Sequence, residues 1–138
     1  MIAVTAEGLV GHVNEVTQNA AKILLITDPS SVVDAVIQRT RVTGLVKGRG
    51  TPLCSMDFVR RTDDVQVGDS VISSGIGGIF GKGYHIGDVM IVDNESNDMF
   101  KSVDIMPSVS FDGLEEVIIL PGSALPASEM KPAAKEKP

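Results

Sequence analysis

No uninterrupted apolar run in this sequence exceeds four residues, and the short apolar segments are punctuated by Gly, Asp, Asn and Pro. Ile23–Ile26 and Val117–Leu120 are two such runs. No stretch holds a 3.6-residue apolar period for three turns, so the only helical expectation is a single turn around Asp112–Glu116. Valine and isoleucine together number 30, against 8 leucines and 9 alanines. β-Branched side chains lose χ1 freedom in a helix and pack well on a pleated surface. The expected class is all-β.

The punctuation predicts nine short strands: Leu9–Val16, Lys22–Thr27, Val32–Gln38, Val42–Lys47, Leu53–Val59, Ser70–Ser74, Ile86–Asp93, Met99–Pro107 and Glu115–Leu120. Period-two alternation places Cys54, Met56 and Phe58 on one face, opposite Ser55 and Asp57. Val103 and Ile105 alternate in the same way with Ser102 and Asp104. Asp93–Asp98 is a six-residue polar connection of the kind that joins a hairpin. Nine strands with close turn signals predict a barrel or a sandwich. The last eighteen residues, Pro121–Pro138, hold four prolines and little to bury, so a disordered tail is expected after Leu120.

Composition narrows the functions. A net charge of −6 argues against a phosphate-backbone binder, and no nucleic-acid partner is expected. The single cysteine, Cys54, excludes an internal disulfide and a multi-cysteine metal site, and its apolar alternation predicts a buried small hydrophobe. A bilayer-spanning helix needs roughly 20 predominantly apolar residues, and the first twenty residues show no basic and apolar signal pattern. Charge is also uneven. Six basic residues face one acid between Arg39 and Arg61, whereas two basic residues face eleven acids from Thr62 to Leu120. Such bipolarity suits reciprocal protein contact, with Arg60 and Arg61 as candidate partner-contact residues.

Three motifs imitate chemistry. Gly75–Gly83 resembles a nucleotide loop, but Ile76 stands where a P-loop needs glycine and Gly83 where it needs Ser or Thr. Its glycines fit a tight corner over Ile76, Ile79 and Phe80. Lys82-Gly83-Tyr84 starts like an RNA-binding strand, yet His85, Ile86 and Asp88 break the pattern. Gly68-Asp69-Ser70 looks like the surroundings of a serine nucleophile but lacks the glycine that would follow it, so a turn entering a strand is expected, with Asp69 accepting turn amides. His12 and His85 have no second histidine or cysteine at metal spacing. No cofactor is expected.

In order, the punctuated segments make a series. Gly8-Leu9-Val10-Gly11-His12-Val13 and Leu24-Leu25-Ile26-Thr27-Asp28-Pro29 come first, then Gly44-Leu45-Val46-Lys47-Gly48. Val67–Phe80, Ile86-Gly87-Asp88-Val89 and Leu114–Leu120 follow. This series resembles the periplasmic region of the MreC family of bacterial rod-shape-determining proteins. The resemblance runs from about Gly8 to Leu120. It implies two small β-barrels distantly like those of chymotrypsin, the first incomplete here because the family has strands ahead of the Gly8 motif. The expected division is 1–48 and 49–120, followed by the tail at 121–138.

The same resemblance implies structural roles for Gly8, Gly11, Asp28, Gly68, Asp69, Ser74, Gly75, Gly77, Gly78, Phe80 and Gly87. Gly81 departs from the proline usual in the family, which frees the loop. The implied function is a scaffold of the cell-elongation machinery at the periplasmic face of the inner membrane. Its implied partners are a class B penicillin-binding transpeptidase, MreD, the actin-like MreB and further copies of itself. Two rivals remain at this stage. One is a barrel hydrolase using Ser70 or Ser74 with His12 or His85. The other is the barrel of a membrane-fusion adaptor.

Overall fold

The computed structural model describes residues 1–76, 80–93, 99–111 and 117–120. Among these residues ten strands account for the regular structure: β1 (Ile2–Thr5), β2 (Gly8–Val16), β3 (Ala21–Leu25), β4 (Val32–Ile37), β5 (Thr43–Lys47), β6 (Cys54–Asp57), β7 (Ser70–Ser73), β8 (His85–Asp93), β9 (Ser102–Pro107) and β10 (Ile118–Leu120). The all-β expectation holds. The expected turn at Asp112–Glu116, the connection 94–98 and the tail from Pro121 lie outside the described residues, as do Gly77, Gly78 and Ile79.

Six strands close into a barrel in the order β4-β5-β6-β9-β8-β7, and four form an open sheet ordered β10-β1-β2-β3. Every pairing is antiparallel. The register shifts between Val71 and Ile72 and between Val89 and Ile91. Such irregularities bend a strand, as closure requires. The strand pairing runs across the expected boundary near residue 48. β4 and β5 lie before it but belong to the closed barrel, and β10 returns to pair with β1 through Ile2↔Leu120 and Val4↔Ile118. Pairing partners so distant in sequence leave no local mark on either strand.

Alternation decides what is buried. Val103 and Ile105 are fully inside the barrel while Ser102 is exposed, as period two requires. Cys54 and Met56 also point inward, but Phe58 does not. Its φ is +67° and its ring is 54% exposed, so Val59 takes the interior position instead. Ile76 is another correction: it is 74% exposed, whereas Phe80 beside it in the glycine segment is buried.

The sheet has two unlike faces. Ile2, Val4 and Leu9 pack into the main core along with Ile26, Ile37, Val71 and Ile86. Ala3 and Val10 alternate to the other side and form a small cluster with Val109, flanked by half-buried Ile23 and Leu25. A direct join lies at Gly8, with φ +153°. A Cβ there would sit 2.5 Å from the carbonyl oxygen of His85 on β8. Only glycine lets the sheet approach the barrel this closely.

Candidate functional site

The strongest polar cluster among the described residues holds the Gly68-Asp69 turn. Arg39 leaves the end of β4 and reaches Asp69 through Nε at 2.8 Å and Nη2 at 3.0 Å. It also reaches Asp64 at 3.1 and 3.2 Å. Asp69 is buried, and its Oδ2 accepts the Gln66 N–H at 2.8 Å. The Arg39 hydrogen bonds hold both carboxyls below the usual carboxylate range. Gly68 supplies φ +96° at the turn itself. Asp69 therefore accepts a turn amide as its sequence position suggests. Arg39, thirty residues away, was invisible to motif reading because neither residue marks the other.

The residues named for hydrolysis do not meet. Ser74 Oγ accepts from the Ile76 N–H at 3.3 Å, and neither Ser70 nor Ser74 bonds a histidine among the described residues. His12, on β2, stands edge-on to Phe80 with ring centroids 5.5 Å apart. Burial lowers its pKa, with a smaller contribution from the chain's terminal amine.

His85 instead contacts Ser108, whose Oγ lies 2.8 Å from Nδ1, while Nε2 is 3.3 Å from Asp88 Oδ1. This row has the atom types of a hydrolytic triad but not its surroundings. Asp88 is 56% exposed, so water screens its charge. The Ser108 N–H donates to the Ile86 carbonyl at 3.0 Å, so it is not free to stabilise an oxyanion. The contacts tie the start of β8 to the chain leaving β9. Cys54 is likewise inert: fully buried, its thiol is pushed up to about 11 by desolvation.

Gly11, Gly87, Asp28 and Gly75 sit at close backbone contacts or turns. A side chain at Gly11 would meet the Leu24 carbonyl at 2.0 Å, and one at Gly87 the Met106 carbonyl at 2.2 Å. Asp28 Oδ1 accepts the Ser30 N–H at 2.8 Å. Gly75 turns with φ +79° against Lys82. Asp28 also lines a groove of about 640 Å³ between the sheet and the barrel, with Leu25, Pro29, Pro52, Pro107 and Phe111 on its walls.

Arg60 and Arg61 follow β6 on the barrel surface. The Arg61 N–H donates to the Met99 carbonyl at 3.0 Å, and Arg60 forms an isolated bridge with Phe100. They sit beside an exposed apolar strip that includes Phe58, which the alternation pattern placed on one face with Cys54 and Met56.

A closed six-stranded barrel carrying an open antiparallel sheet defines an all-β barrel domain. Comparison with known proteins sharpens that class. Residues 1–121 match the family model for the rod shape-determining protein MreC, barrel core, and the chain belongs to that family. The cell shape-determining protein MreC of Haemophilus influenzae is 31% identical over 132 residues, covering 95% of this chain and 38% of its own length. The chain thus spans well under half of that relative. The crystal structure of MreC from Pseudomonas aeruginosa is similar with a TM-score of 0.80 and 30% identity, over 84% of this chain and 76% of that one. A chain from the complex between Penicillin-Binding Protein (PBP2) and MreC of Helicobacter pylori gives a TM-score of 0.67 at 20% identity. It covers 79% of this chain and 68% of that chain, and the likeness is one of fold.

Proposed function

We propose that this chain is a non-enzymatic scaffold of the cell-elongation machinery, acting in the periplasm by holding a class B penicillin-binding transpeptidase and by self-association. The observation that carries the reading is the family match over residues 1–121, joined to the existence of a PBP2–MreC complex in that family. The dispersal of Ser70, Ser74, His12 and His85 into separate structural contacts supports a role without catalysis. The outer edges of β3 and β10, each paired on one side only among the described residues, support self-association. MreD and MreB are reached through the longer protein. In the test, the chain is used as bait for detergent-solubilised membranes of its own organism. The transpeptidase should co-purify, and a serine-reactive fluorophosphonate probe should leave the chain unlabelled. Specific serine labelling, or failure to retain any transpeptidase, overturns the reading.

A further inference from the structure

One side of the closed barrel carries four large apolar side chains in open solvent. Ile76 is 74% exposed, Phe58 54%, Phe100 40% and Met99 73%. They are connected. Phe58 and Phe100 meet edge to face with centroids 5.7 Å apart, Met99 precedes Phe100 in the chain, and Ile76 shares a hollow of about 240 Å³ with Phe58. A second hollow, of about 260 Å³, lies against Phe100. Aromatic anchors beside small pockets are the usual makings of a binding hot spot.

The backbone shows that this exposure is built in. Phe58 is held at φ +67°, a left-handed conformation costly for a bulky side chain and free for glycine. The same turn that sends Phe58 outward lets Val59 fill the core, so a glycine at 58 would seal the barrel equally well. The aromatic ring adds nothing to the interior. It is also held rigidly, because residues 59–61 are laced to 99–101. The Lys101 N–H donates to Val59 and the Arg61 N–H to Met99, at 2.9 and 3.0 Å. The Lys47 ammonium lies 6.0 Å over the Phe58 ring.

The rim is basic. Lys47 is engaged by Asp57 at 3.2 Å, whereas Arg49 and Arg60 extend exposed side chains that take part in no salt bridge among the described residues. We propose that this ridge is the docking surface for an acidic segment of the penicillin-binding partner. That segment carries an apolar anchor seated between Phe58 and Phe100, with its carboxylates meeting Arg49 and Arg60. The inference rests on the scaffold reading above and names its contact surface. Apolar anchors supply the affinity, and the arginines set approach and register.

The experiment measures binding of the 138-residue chain to the extracytoplasmic region of the transpeptidase from its own organism. Phe58→Gly is the main variant, because it removes the ring and relieves the backbone together, so its melting temperature should not fall. Its Kd should weaken by about tenfold or more, and Met99→Ser should weaken binding in the same direction. Arg49→Glu with Arg60→Glu should slow association. Val16→Ser, an exposed apolar position on the open sheet, should bind as the unmodified chain does. If the unmodified chain binds and Phe58→Gly binds equally well, the ridge is not the contact and the proposal falls while the scaffold reading stands. If the unmodified chain does not bind, the scaffold reading itself is lost. If Phe58→Gly keeps the partner but loses self-association in sedimentation, the occupant is a second copy and the proposal is overturned.

Discussion

The closed barrel and the open sheet are made of the same kind of short antiparallel strand, and they differ in what each leaves unpaired. In the barrel every strand has two neighbours, so its backbone groups are used and its interior is sealed by residues such as Val46, Met56, Val103 and Ile105. Among the described residues the sheet has two outer edges, and only one of its faces is covered by a full core. The small cluster of Ala3, Val10 and Val109 on its other face offers little apolar burial of its own. Closure therefore makes the barrel self-sufficient, whereas the sheet depends on docking against it.

The largest test of that difference is a pair of truncations. Ile105 is wholly inside the barrel, so Ile105→Ala should cost about 2–5 kcal/mol in urea unfolding. Ile23 is half-buried over the small cluster, and Ile23→Ala should cost less than about 1 kcal/mol. Equal losses would mean that the sheet's outer cluster holds the fold as firmly as the barrel does.

Next in size is the Arg39–Asp69 clamp, which lies wholly on the barrel. Asp69→Ala removes charge-assisted hydrogen bonds to Arg39 and the acceptor for the Gln66 N–H, a loss of about 1.5–3 kcal/mol. The depressed Asp69 carboxyl predicts where acid acts. Its contribution is fully present above the unfolded value of 3.8 and is lost as pH falls through its lower folded value. Thermal melts from pH 5 to pH 2 should show this loss in the unmodified chain, and Asp69→Asn should flatten it.

How much of this was legible follows the same division. Strand positions were readable wherever inward and outward residues alternate, as in Ser102-Val103-Asp104-Ile105. β1 went unread, since four apolar-rich residues beside the chain start carry too short a pattern. Phe58 fits the alternation, yet it faces solvent, because a left-handed residue shifts the inward position to Val59 and nothing in the sequence announces it. The Gly68-Asp69 turn was legible by itself, but its partner Arg39 was not. Membership of the two sheets was hidden for a related reason: the pairing of β1 with β10 is a property of the closed chain.

A smaller effect is expected at the junction of the two regions, at His12. Burial lowers its pKa, so the folded state binds its proton less readily than the unfolded state, whose value is 6.5. Stability should thus be complete above pH 6.5 and decline as pH falls below it, before the carboxylates begin to titrate. His12→Gln should remove the decline between pH 6.5 and pH 5 while leaving the more acidic one. A decline unchanged in that variant would rule out His12 as its cause.

The smallest effect is local, and it reads the edge directly. The Ile26 N–H donates to the Val10 carbonyl at 2.9 Å, and β2 and β3 pair as Gly11↔Leu25, His12↔Leu24 and Val13↔Ile23. Antiparallel pairs alternate between bonded and non-bonded, so Leu24 and Ile26 point their amides at β2 while Ile23 and Leu25 point theirs outward. Hydrogen exchange on β3 should therefore alternate, slow at Leu24 and Ile26 and fast at Ile23 and Leu25. β5 lies between β4 and β6, through Val33↔Val46 and Leu45↔Asp57, so Leu45 and Val46 should both exchange slowly. The free-energy difference is small, since local opening at an edge involves few contacts. If Ile23 and Leu25 are as protected as Leu45 and Val46, another strand covers the edge in solution. Repeating the exchange at tenfold dilution then separates the sources, because protection supplied by a second copy falls with concentration and protection from within the chain does not.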